Sequence, residues 1–381
     1  MIYLNNASTG FPKPHSVLEA VEMNLRTVPF NYGRSGIARG DKNIVNDTRK
    51  KIAEFLNAGD DYHIVFTSGS TEALNLALKG IDLTDKHVII SATEHNSVIR
   101  PLMSLKKLKN ISISIAECNE FGFVEPANIE NLIYENTALI CINHCSNVTG
   151  TVQDVESISR IAKKHNVLLL IDGSQSAGLV DIDINRFSPD FFSFTGHKSL
   201  CGMQGIGGLI FRKSIHLKPL KEGGTGTQSH LLEQPEDFPA KYESGTMNIP
   251  GITALEAGIS WIQETGIENI RNHKKKLSEM LIDEIKDISG IKIYYHYEKS
   301  SGAIVSLTVD DIQPEEINYI LANSFEIAVR SGIHCAPLIG KYLGISEGGT
   351  LRISPSYFTT EEEIQIFTKA FKKIVRNLRE S

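Results

Sequence analysis

The stretch VLLLIDGSQSAG, residues 167–178, decides the fold class of this sequence. Five apolar residues lead to a carboxylate, and glycine and small polar residues follow it directly. Such a continuous apolar run, bounded by turn residues, is typical of a strand buried on both faces of a parallel sheet. The buried Asp172 is costly to desolvate without a cationic or N–H partner. Asp172 therefore either caps the next helix or pairs with a protonated ring nitrogen, with Gln175 near enough to add a hydrogen bond.

Six more runs of this kind extend the sheet. They are HIVFTS (63–68), HVIISAT (87–93), ISISIAE (111–117), ALICINH (138–144), FFSFTG (191–196) and GGLIFRK (207–213). Amphipathic stretches such as 154–166 lie between several of them, which indicates helices on the faces of the sheet. The pattern predicts an α/β fold with a mainly parallel, seven-stranded sheet between helices.

The pattern changes after about residue 250. A long helical region, 251–288, is expected to break near Gly266, and its run Lys274-Lys275-Lys276 is expected to be a solvated face. Strands at 291–297, 303–309, 327–332 and 350–356, and helices at 313–324 and at the C-terminus, then predict a smaller α+β domain. Thr360 and Glu363 form a capping box for the last helix. We predict a segment 1–13 near the domain boundary, a large domain 14–255 and a small domain 256–381.

The bulk composition excludes several classes of protein. The 381 residues are 41% hydrophobic and 22% charged, which is usual for a soluble globular enzyme, and the net charge of -6 argues against a nucleic-acid surface. No apolar stretch approaches the length of a membrane span, and the first residues lack the features of a signal peptide. Five irregularly spaced cysteines favour a reduced, cytoplasmic setting.

Reactive side chains follow several of the predicted strands, where open parallel sheets bind ligands. TSGSTEALN (67–75) places hydroxyls and a glycine at a helix start, which suits a phosphate, although a simple helix cap fits equally. His95 can stack on a flat ring or be an ordinary loop histidine. Lys198 stands between small residues at the end of FFSFTG, where burial would favour its neutral, nucleophilic form. Together with Asp172, these features imply pyridoxal phosphate.

Five motifs in this order resemble the class V aminotransferase family of fold-type I pyridoxal-phosphate enzymes. They are TSGSTEALN (67–75), EHNS (94–97), NHCSNVTGT (143–151), IDGSQSAG (171–178) and SFTGHKSL (193–200). Within that family the chain is most similar to cysteine desulfurases and selenocysteine lyases. The similarity extends from YLNNAST (3–9) to the C-terminal helix, which is nearly the whole chain.

The resemblance implies a role for each matched residue. Lys198 would form the Schiff base, Asp172 would pair with the pyridine nitrogen, Gln175 with the phenolic oxygen, and His95 would stack on the ring. The phosphate would be held by Ser70, Thr71, His197 and Ser193, with Thr195 as the alternative to Ser193. Asn147 would lie near the ring or the substrate carboxylate. ESGTMN (243–248) matches a segment that reaches the partner subunit's phosphate, so Thr246 and a homodimer are implied.

Cys335, in AVRSGIHCAPL (328–338), decides which reaction the resemblance implies. This stretch is similar to the segment of cysteine desulfurases whose cysteine takes sulfur from the substrate as a persulfide. His334 and Arg330 would place positive charge beside the thiol and favour the thiolate. The alternative is a small core cysteine, the commonest fate of a free thiol.

Two arginines complete the expected substrate site. Arg352, in TLRISPS (350–356), matches the family's arginine that binds the substrate carboxylate, a task that suits a bidentate guanidinium. Arg34 is a further substrate-binding candidate. The stretch CINHC (141–145) carries two cysteines and a histidine on an apolar strand, but no second ligand pair accompanies it to complete a zinc site, so core packing is expected and no metal is predicted.

The resemblance therefore implies a pyridoxal-phosphate-dependent cysteine desulfurase that converts L-cysteine to L-alanine. Its catalytic residues would be Lys198, Cys335 and His95. Selenocysteine lyase, cystine or cysteine C–S lyase, and class V aminotransferase are the alternatives, and a scaffold without catalysis is disfavoured by the intact Lys198, Asp172 and His95. Expected partners are L-cysteine or a related thiol or selenol amino acid and a sulfur-acceptor protein, with neither nucleic acid nor membrane.

Overall fold

The computed structural model describes residues 1–27, 43–345 and 347–380. In that part of the chain the strands are β1 (Ile2–Tyr3), β2 (Tyr62–Thr67), β3 (His87–Ser91), β4 (Ser112–Ala116), β5 (Thr137–Asn143), β6 (Leu168–Asp172), β7 (Phe191–Thr195), β8 (Gly207–Arg212), β9 (Ile291–Tyr294), β10 (Val305–Val309), β11 (Ile327–Ala328), β12 (Arg330–Gly332) and β13 (Thr350–Ile353). Each apolar run expected to be a strand of the large sheet forms one.

The helices of the described residues alternate with these strands. They are α1 (His15–Arg26), α2 (Ile44–Phe55), α3 (Ser70–Gly80), α4 (Asn96–Lys109), α5 (Pro126–Glu130), α6 (Val155–Lys164), α7 (Ile184–Phe187), α8 (Ile249–Thr265), α9 (Ile267–Ile285), α10 (Pro314–Phe325), α11 (Ile339–Leu343) and α12 (Glu361–Glu380). None of them is both long and apolar enough to cross a membrane.

The larger sheet has seven strands in the order β2-β8-β7-β6-β5-β3-β4. Strands β7, β6, β5, β3 and β4 pair in parallel, whereas β8 runs antiparallel to both of its neighbours. Buried apolar clusters cover its two faces. The predicted α/β class with a mainly parallel sheet is confirmed. The parallel arrangement brings the carboxyl ends of β3, β5, β6 and β7 to one edge.

A second sheet, of four antiparallel strands in the order β12-β13-β10-β9, packs with α9, α10 and α12 around a core of its own. The N-terminal strand β1 pairs in parallel with β11, and Leu4 is fully buried in this core. The N-terminal segment is thereby held beside the second sheet. Because α8 runs across residue 255, the division into 14–255 and 256–381 stays a prediction.

Two local predictions about helices are confirmed and one is wrong. Gly266, with φ of +87°, separates α8 from α9. The Thr360 backbone N–H donates to Glu363, and the Glu363 N–H donates to the Thr360 hydroxyl, which is a capping box. Lys274, however, is only 7% exposed and does not belong to a solvated face, because α9 turns it toward the loop after β7.

Candidate active site

A cavity of about 340 Å³ opens where the two sheets meet. The larger sheet contributes side chains that follow the carboxyl ends of its strands, among them Ser70, His95, Asn147, Ser174 and Lys198. The second sheet contributes Arg330, His334 and Arg352. The structure therefore gathers most of the predicted site residues around one space, as expected for an open α/β sheet.

Lys198 is surrounded by protein immediately after β7. Burial lowers the pKa of its amine to about 8, and the nearby guanidiniums of Arg352 and Arg330 act in the same direction, against the attraction of Asp172. Desolvation disfavours the charged form of an amine, so a substantial neutral fraction exists near neutral pH. A lysine in this state is a nucleophile and a base.

Asp172 is oriented by hydrogen bonds that all meet one of its oxygens. Oδ1 accepts from the hydroxyls of Ser70 (3.3 Å), Ser174 (2.5 Å) and Ser193 (3.2 Å) and from the backbone N–H of Ser174 (3.0 Å). No described residue donates to Oδ2, and Asp172 lines the cavity although it is only 2% exposed. An oxygen fixed in this way can accept a proton or an N–H from a ligand.

The N-terminus of α3 supplies one wall of the cavity. Gly69 precedes the helix with φ of +153°, a conformation that glycine adopts without strain. A Cβ at Gly207 would lie 2.7 Å from Gly69 Cα, so the absence of a side chain there lets the loop pack on β8. Thr71 lines the cavity, and its hydroxyl lies 2.8 Å from Ser97 Oγ. The free backbone N–H groups of a helix start favour an anion.

The structure distinguishes the two candidates on β7. The hydroxyl of Ser193 is fully buried behind the cavity, 2.8 Å from Ser70 Oγ. Thr195 lines the cavity, as does His197. The Nδ1 atom of His197 lies 2.8 Å from Thr9 Oγ1, and burial, followed by the charge of Lys198, lowers its pKa to about 4. The imidazole is therefore neutral, and its Nε2 atom is available to bind a ligand in the cavity.

His95 and Gln175 face the cavity with defined side-chain contacts. His95 caps α4, and its Nδ1 accepts the backbone N–H of Ser97 at 3.1 Å. Burial lowers the pKa of His95, so its ring is neutral and presents an apolar face. Gln175 Nε2 donates to the Ala7 carbonyl at 2.9 Å, which leaves the second amide N–H for a ligand.

Arg352 is a buried cation held by neutral acceptors. Its side chain is 1% exposed and donates to the Asn147 carbonyl (2.7 Å), to Ser8 Oγ (2.9 Å) and to Asn5 Oδ1 (3.2 Å). Burial lowers its pKa to about 9, which still leaves it charged at neutral pH. Arg330 also contacts Ser8, and no carboxylate of the described residues pairs with either guanidinium. This side of the cavity favours an anionic ligand.

Cys335 is half-buried beside the cavity, next to the lining residues Arg330 and His334, on a turn whose backbone is unusual. His334 and Cys335 have φ of +51° and +59°, a region that residues with a side chain rarely occupy. Arg330 Nη2 donates to Cys335 Sγ at 3.4 Å, and the Asn96 N–H donates to the Cys335 carbonyl at 2.8 Å. The turn thus holds the thiol beside a permanent positive charge.

The predicted electrostatic role of His334 is wrong. Burial, reinforced by the positive charges of Arg352 and Arg330, lowers its pKa to about 2. Its Nε2 lies 2.9 Å from Thr350 Oγ1, and its carbonyl accepts from Asn147 Nδ2 at 2.6 Å. A neutral ring cannot supply positive charge to the thiol, so His334 orients the turn instead.

Other predicted residues lie outside the cavity. Thr246 is exposed on the surface, and Arg34 lies outside the described residues. Cys141 and Cys145 are fully buried in the protein interior.

Sequence reasoning missed two groups at this site. Ser8 bridges Arg330 and Arg352 from the N-terminal segment, and only its place in YLNNAST indicated it. Glu94 is fully buried beside His95, and burial raises its pKa to about 8, so it is mainly protonated at neutral pH. Its Oε1 accepts from the Asn143 N–H at 2.7 Å. A carboxylate directly after an apolar strand, the signal used for Asp172, would have found it.

Comparison with known proteins shows which family this chain is similar to. A sequence model of the family "Aminotransferase class-V" matches residues 2–367. A protein of Methanothermobacter thermautotrophicus named "Probable cysteine desulfurase" is 36% identical over 98% of this chain and 94% of its own length. One of Wigglesworthia glossinidia brevipalpis named "Cysteine desulfurase" is 30% identical over 100% of this chain and 94% of its own.

Comparison with solved structures shows that the fold of this chain is similar to that of a cysteine desulfurase. The structure titled "Apo structure of Cysteine Desulfurase from Thermococcus onnurineus NA1" superposes with a TM-score of 0.88 at 29% identity, covering 99% of this chain and 95% of the other.

Proposed function

Because this chain belongs to the class-V aminotransferase family, we propose that it is a pyridoxal-phosphate-dependent cysteine desulfurase, which converts L-cysteine to L-alanine and keeps the sulfur on Cys335. One observation carries the proposal: a buried amine and two guanidiniums without carboxylate partners line one cavity, and one of these guanidiniums, that of Arg330, contacts the Cys335 thiol. The relatives named cysteine desulfurase support it over nearly their whole length.

The residues present fit pyridoxal 5'-phosphate. Asp172 Oδ2 is free to accept the N–H of a pyridinium ring, Gln175 has an amide N–H for a phenolic oxygen, and His95 offers a neutral ring face. Lys198 supplies the amine that attaches the aldehyde. When bound, this cofactor supplies an electron-withdrawing ring that stabilises negative charge at the substrate's Cα.

The phosphate end fits the N-terminus of α3. Backbone N–H groups after Gly69, the hydroxyls of Thr71 and Thr195, and the free ring nitrogen of His197 border this end of the cavity. Ser193, in this proposal, orients Ser70 and Asp172 from behind.

Arg352 would bind the carboxylate of the amino acid. Its guanidinium is already desolvated and fixed by Asn147 and Ser8, so little rotamer entropy is lost when the substrate arrives. The adjacent Asn147 Oδ1 is buried without a described partner and is an acceptor for the substrate's amino group.

Lys198 Nζ would then remove the proton from Cα of cysteine and return a proton to Cα once the sulfur has left. The proton that Cys335 releases on becoming a thiolate accounts for the new hydrogen on Cβ. A neutral amine is required for the first step, and burial provides it.

Cys335 would attack the sulfur of the substrate as a thiolate beside Arg330. The Cβ–S bond of cysteine breaks, and the sulfur forms a bond to Cys335 Sγ. The thiol and L-cysteine together give the persulfide and L-alanine, so the reaction balances without an oxidant or a reductant. The persulfide sulfur beside the cavity is then available to an acceptor thiol, which we propose belongs to an acceptor protein in the cytoplasm.

The test is Cys335→Ala, with Cys118→Ala as the control for a thiol buried away from the cavity. We expect Cys335→Ala to keep the cofactor spectrum and to lose alanine formation by roughly 100-fold or more. Mass spectrometry of wild type after a cysteine pulse should find one added sulfur on the peptide that contains Cys335. If that peptide stays unmodified and Cys335→Ala forms alanine at the wild-type rate, the enzyme is a C–S or C–Se lyase instead.

A further inference from the structure

A second, smaller cavity is also bordered by the loop that carries Lys198. Its volume is about 30 Å³, and it is bordered by residues of the N-terminal segment, the loop after β7, α8, α9 and the loop after β13. The side chains that matter to the argument are Cys201, Trp261, Lys274 and Tyr357. A single water needs roughly 10–15 Å³, so the space holds one or two waters or a small ion.

Lys274 points into this cavity without a partner of opposite charge. It is 93% buried, given its exposed fraction of 7%, and among the described residues nothing forms a hydrogen bond or an ion pair with its ammonium. The next two lysines of α9 are paired at the surface, Lys275 with Glu279 at 3.7 Å and Lys276 with Glu361 at 2.5 Å. Lys274 is thus the member of the run that the fold removes from water.

A second ammonium adds to the positive charge near the cavity. Lys13 Nζ donates to the His197 carbonyl at 2.8 Å and lies 3.6 Å from the Cβ position of Gly10, a residue of the cavity wall. Burial lowers the pKa of Lys13 and of Lys274, and Cys201 is the titratable group of the described residues that opposes this shift for both. No described carboxylate offsets either charge.

Cys201 does not supply the missing negative charge in its resting form. Burial raises the pKa of its thiol, despite the attraction of Lys274 and Lys13, so the neutral thiol prevails at neutral pH. Its Sγ is directed to the Ser199 carbonyl at 3.4 Å. The ammonium of Lys274 is therefore a buried cation, and the neutral Cys201 thiol beside it supplies no negative charge to pair with it.

A buried charge must be paired or must lose its proton. Among the described residues, the remaining walls of the cavity carry no carboxylate, and the rings of Trp261 and Tyr357, packed edge to face at 5.5 Å, border it. We propose that this cavity binds a small monovalent inorganic anion of the halide class, with the Lys274 ammonium as its main ligand and Lys13 as a second positive charge. The cavity volume of about 30 Å³ suits a monatomic anion.

Halide binding is tested on the purified holoenzyme by thermal unfolding in sodium bromide against sodium gluconate of equal ionic strength. Gluconate is too large for the cavity and therefore corrects for general salt effects. At bromide well above its Kd, wild type should unfold roughly 2 °C higher than in gluconate. Lys274→Met should abolish this difference, and Lys275→Met, the matched control on the same helix, should keep it.

A second measurement keeps the proposal testable if Lys274→Met fails to fold. Crystals of wild-type holoenzyme soaked in bromide should give an anomalous peak between Lys274 Nζ and Cys201 Sγ. An empty cavity in that map, an absent bromide effect in wild type, or an equal effect in Lys274→Met would each overturn the proposal. None of these readouts depends on turnover of cysteine, so the failure of the proposed desulfurase function would leave the result intact.

Discussion

Lys198 shows how burial and charge together prepare one residue for chemistry. Its pKa is lowered to about 8 mainly by desolvation; the charge of Asp172 opposes this shift, and those of Arg352 and Arg330 add to it. The same guanidiniums that attract an anionic substrate therefore also keep the amine partly neutral. One group of positive charges serves two functions.

The rate at which apoenzyme attaches pyridoxal phosphate should follow the neutral fraction of Lys198. Because the pKa of a free amine in this position is about 8, the second-order rate should rise as the pH rises through 8 and level off above it. Stopped-flow absorbance of the cofactor measures this rate directly. An Asp172→Asn apoenzyme, which lacks the opposing charge, should show its midpoint at lower pH. A flat profile between pH 6 and 9 would contradict the assignment of Lys198.

Arg352→Ala should separate binding of the substrate from binding of the cofactor. The lost charge-assisted pair is expected to raise KM for cysteine by roughly 30-fold or more, in line with about 2–5 kcal/mol for a buried pair. The cofactor spectrum should stay unchanged, since Arg352 contacts Asn147, Asn5 and Ser8. Arg352→Lys keeps the positive charge but loses the bidentate geometry, so its KM for cysteine should lie between those of wild type and Arg352→Ala. An unaltered KM in Arg352→Ala would remove this residue from the substrate site.

At the scale of elements, the close packing of β8 against the loop before α3 positions the phosphate end. A Cβ at Gly207 would come within 2.5 Å of the Phe194 carbonyl and 2.7 Å of Gly69 Cα, and backbone atoms cannot rotate away. Gly207→Ala should therefore cost roughly 1–3 kcal/mol of unfolding free energy and weaken cofactor binding. Gly224→Ala is the control, because nothing lies within 4 Å of its Cβ position. Equal stability and cofactor affinity of both variants would refute this packing argument.

The elements themselves were largely predictable from the sequence, because their signals are local. Apolar runs that end in polar residues predicted the strands of the large sheet, and Gly266 predicted the break between α8 and α9. The burial of Lys274 was not predictable, since it depends on which face of α9 meets the loop after β7. The neutral state of His334 likewise depends on its burial and, after that, on the charge of Arg352, which is eighteen positions away in sequence.

Those residues of the candidate site that each belong to a single sequence motif were predictable. Asp172 ends strand β6, and His95 and Lys198 follow strands β3 and β7, so their convergence follows from the parallel order of these strands. The contribution of Ser8 was not predictable, because it requires the pairing of β1 with β11. Contacts between distant parts of the chain are decided by tertiary packing, and local patterns do not encode them.

At the scale of the whole molecule, the charge of the cavity contrasts with that of the protein. The chain carries a net charge of -6, yet Lys198, Arg330 and Arg352 line one cavity whose carboxylates are Asp172 and Glu72, and Glu72 is paired with Lys221. Selectivity for an anionic substrate therefore depends on local desolvated charges and much less on long-range attraction. The two sheets meet at this space, so the cations and the nucleophile come from different parts of the chain.

We propose that the chain forms a homodimer in which Thr246 of one copy lies at the cofactor phosphate of the other. Thr246 is exposed, and Glu243, three residues earlier, is anchored by two hydrogen bonds to Arg49 at 2.8 and 2.9 Å. Its segment is thus attached firmly to the protein while Thr246 remains available to a second copy. Thr246→Glu should repel the partner's phosphate and greatly weaken cofactor binding.

Mixing two inactive variants tests this arrangement. Thr246→Glu retains Lys198, and Lys198→Ala retains Thr246, so a mixed dimer contains one intact site built from both copies. Random reassociation makes half of the dimers mixed, and the mixture should regain about one quarter of wild-type activity. Lys198→Ala mixed with wild type serves as the control for exchange of copies. Full cofactor affinity in Thr246→Glu alone, or a mixture no more active than its two components, would show that each copy builds its phosphate site without Thr246 of the other.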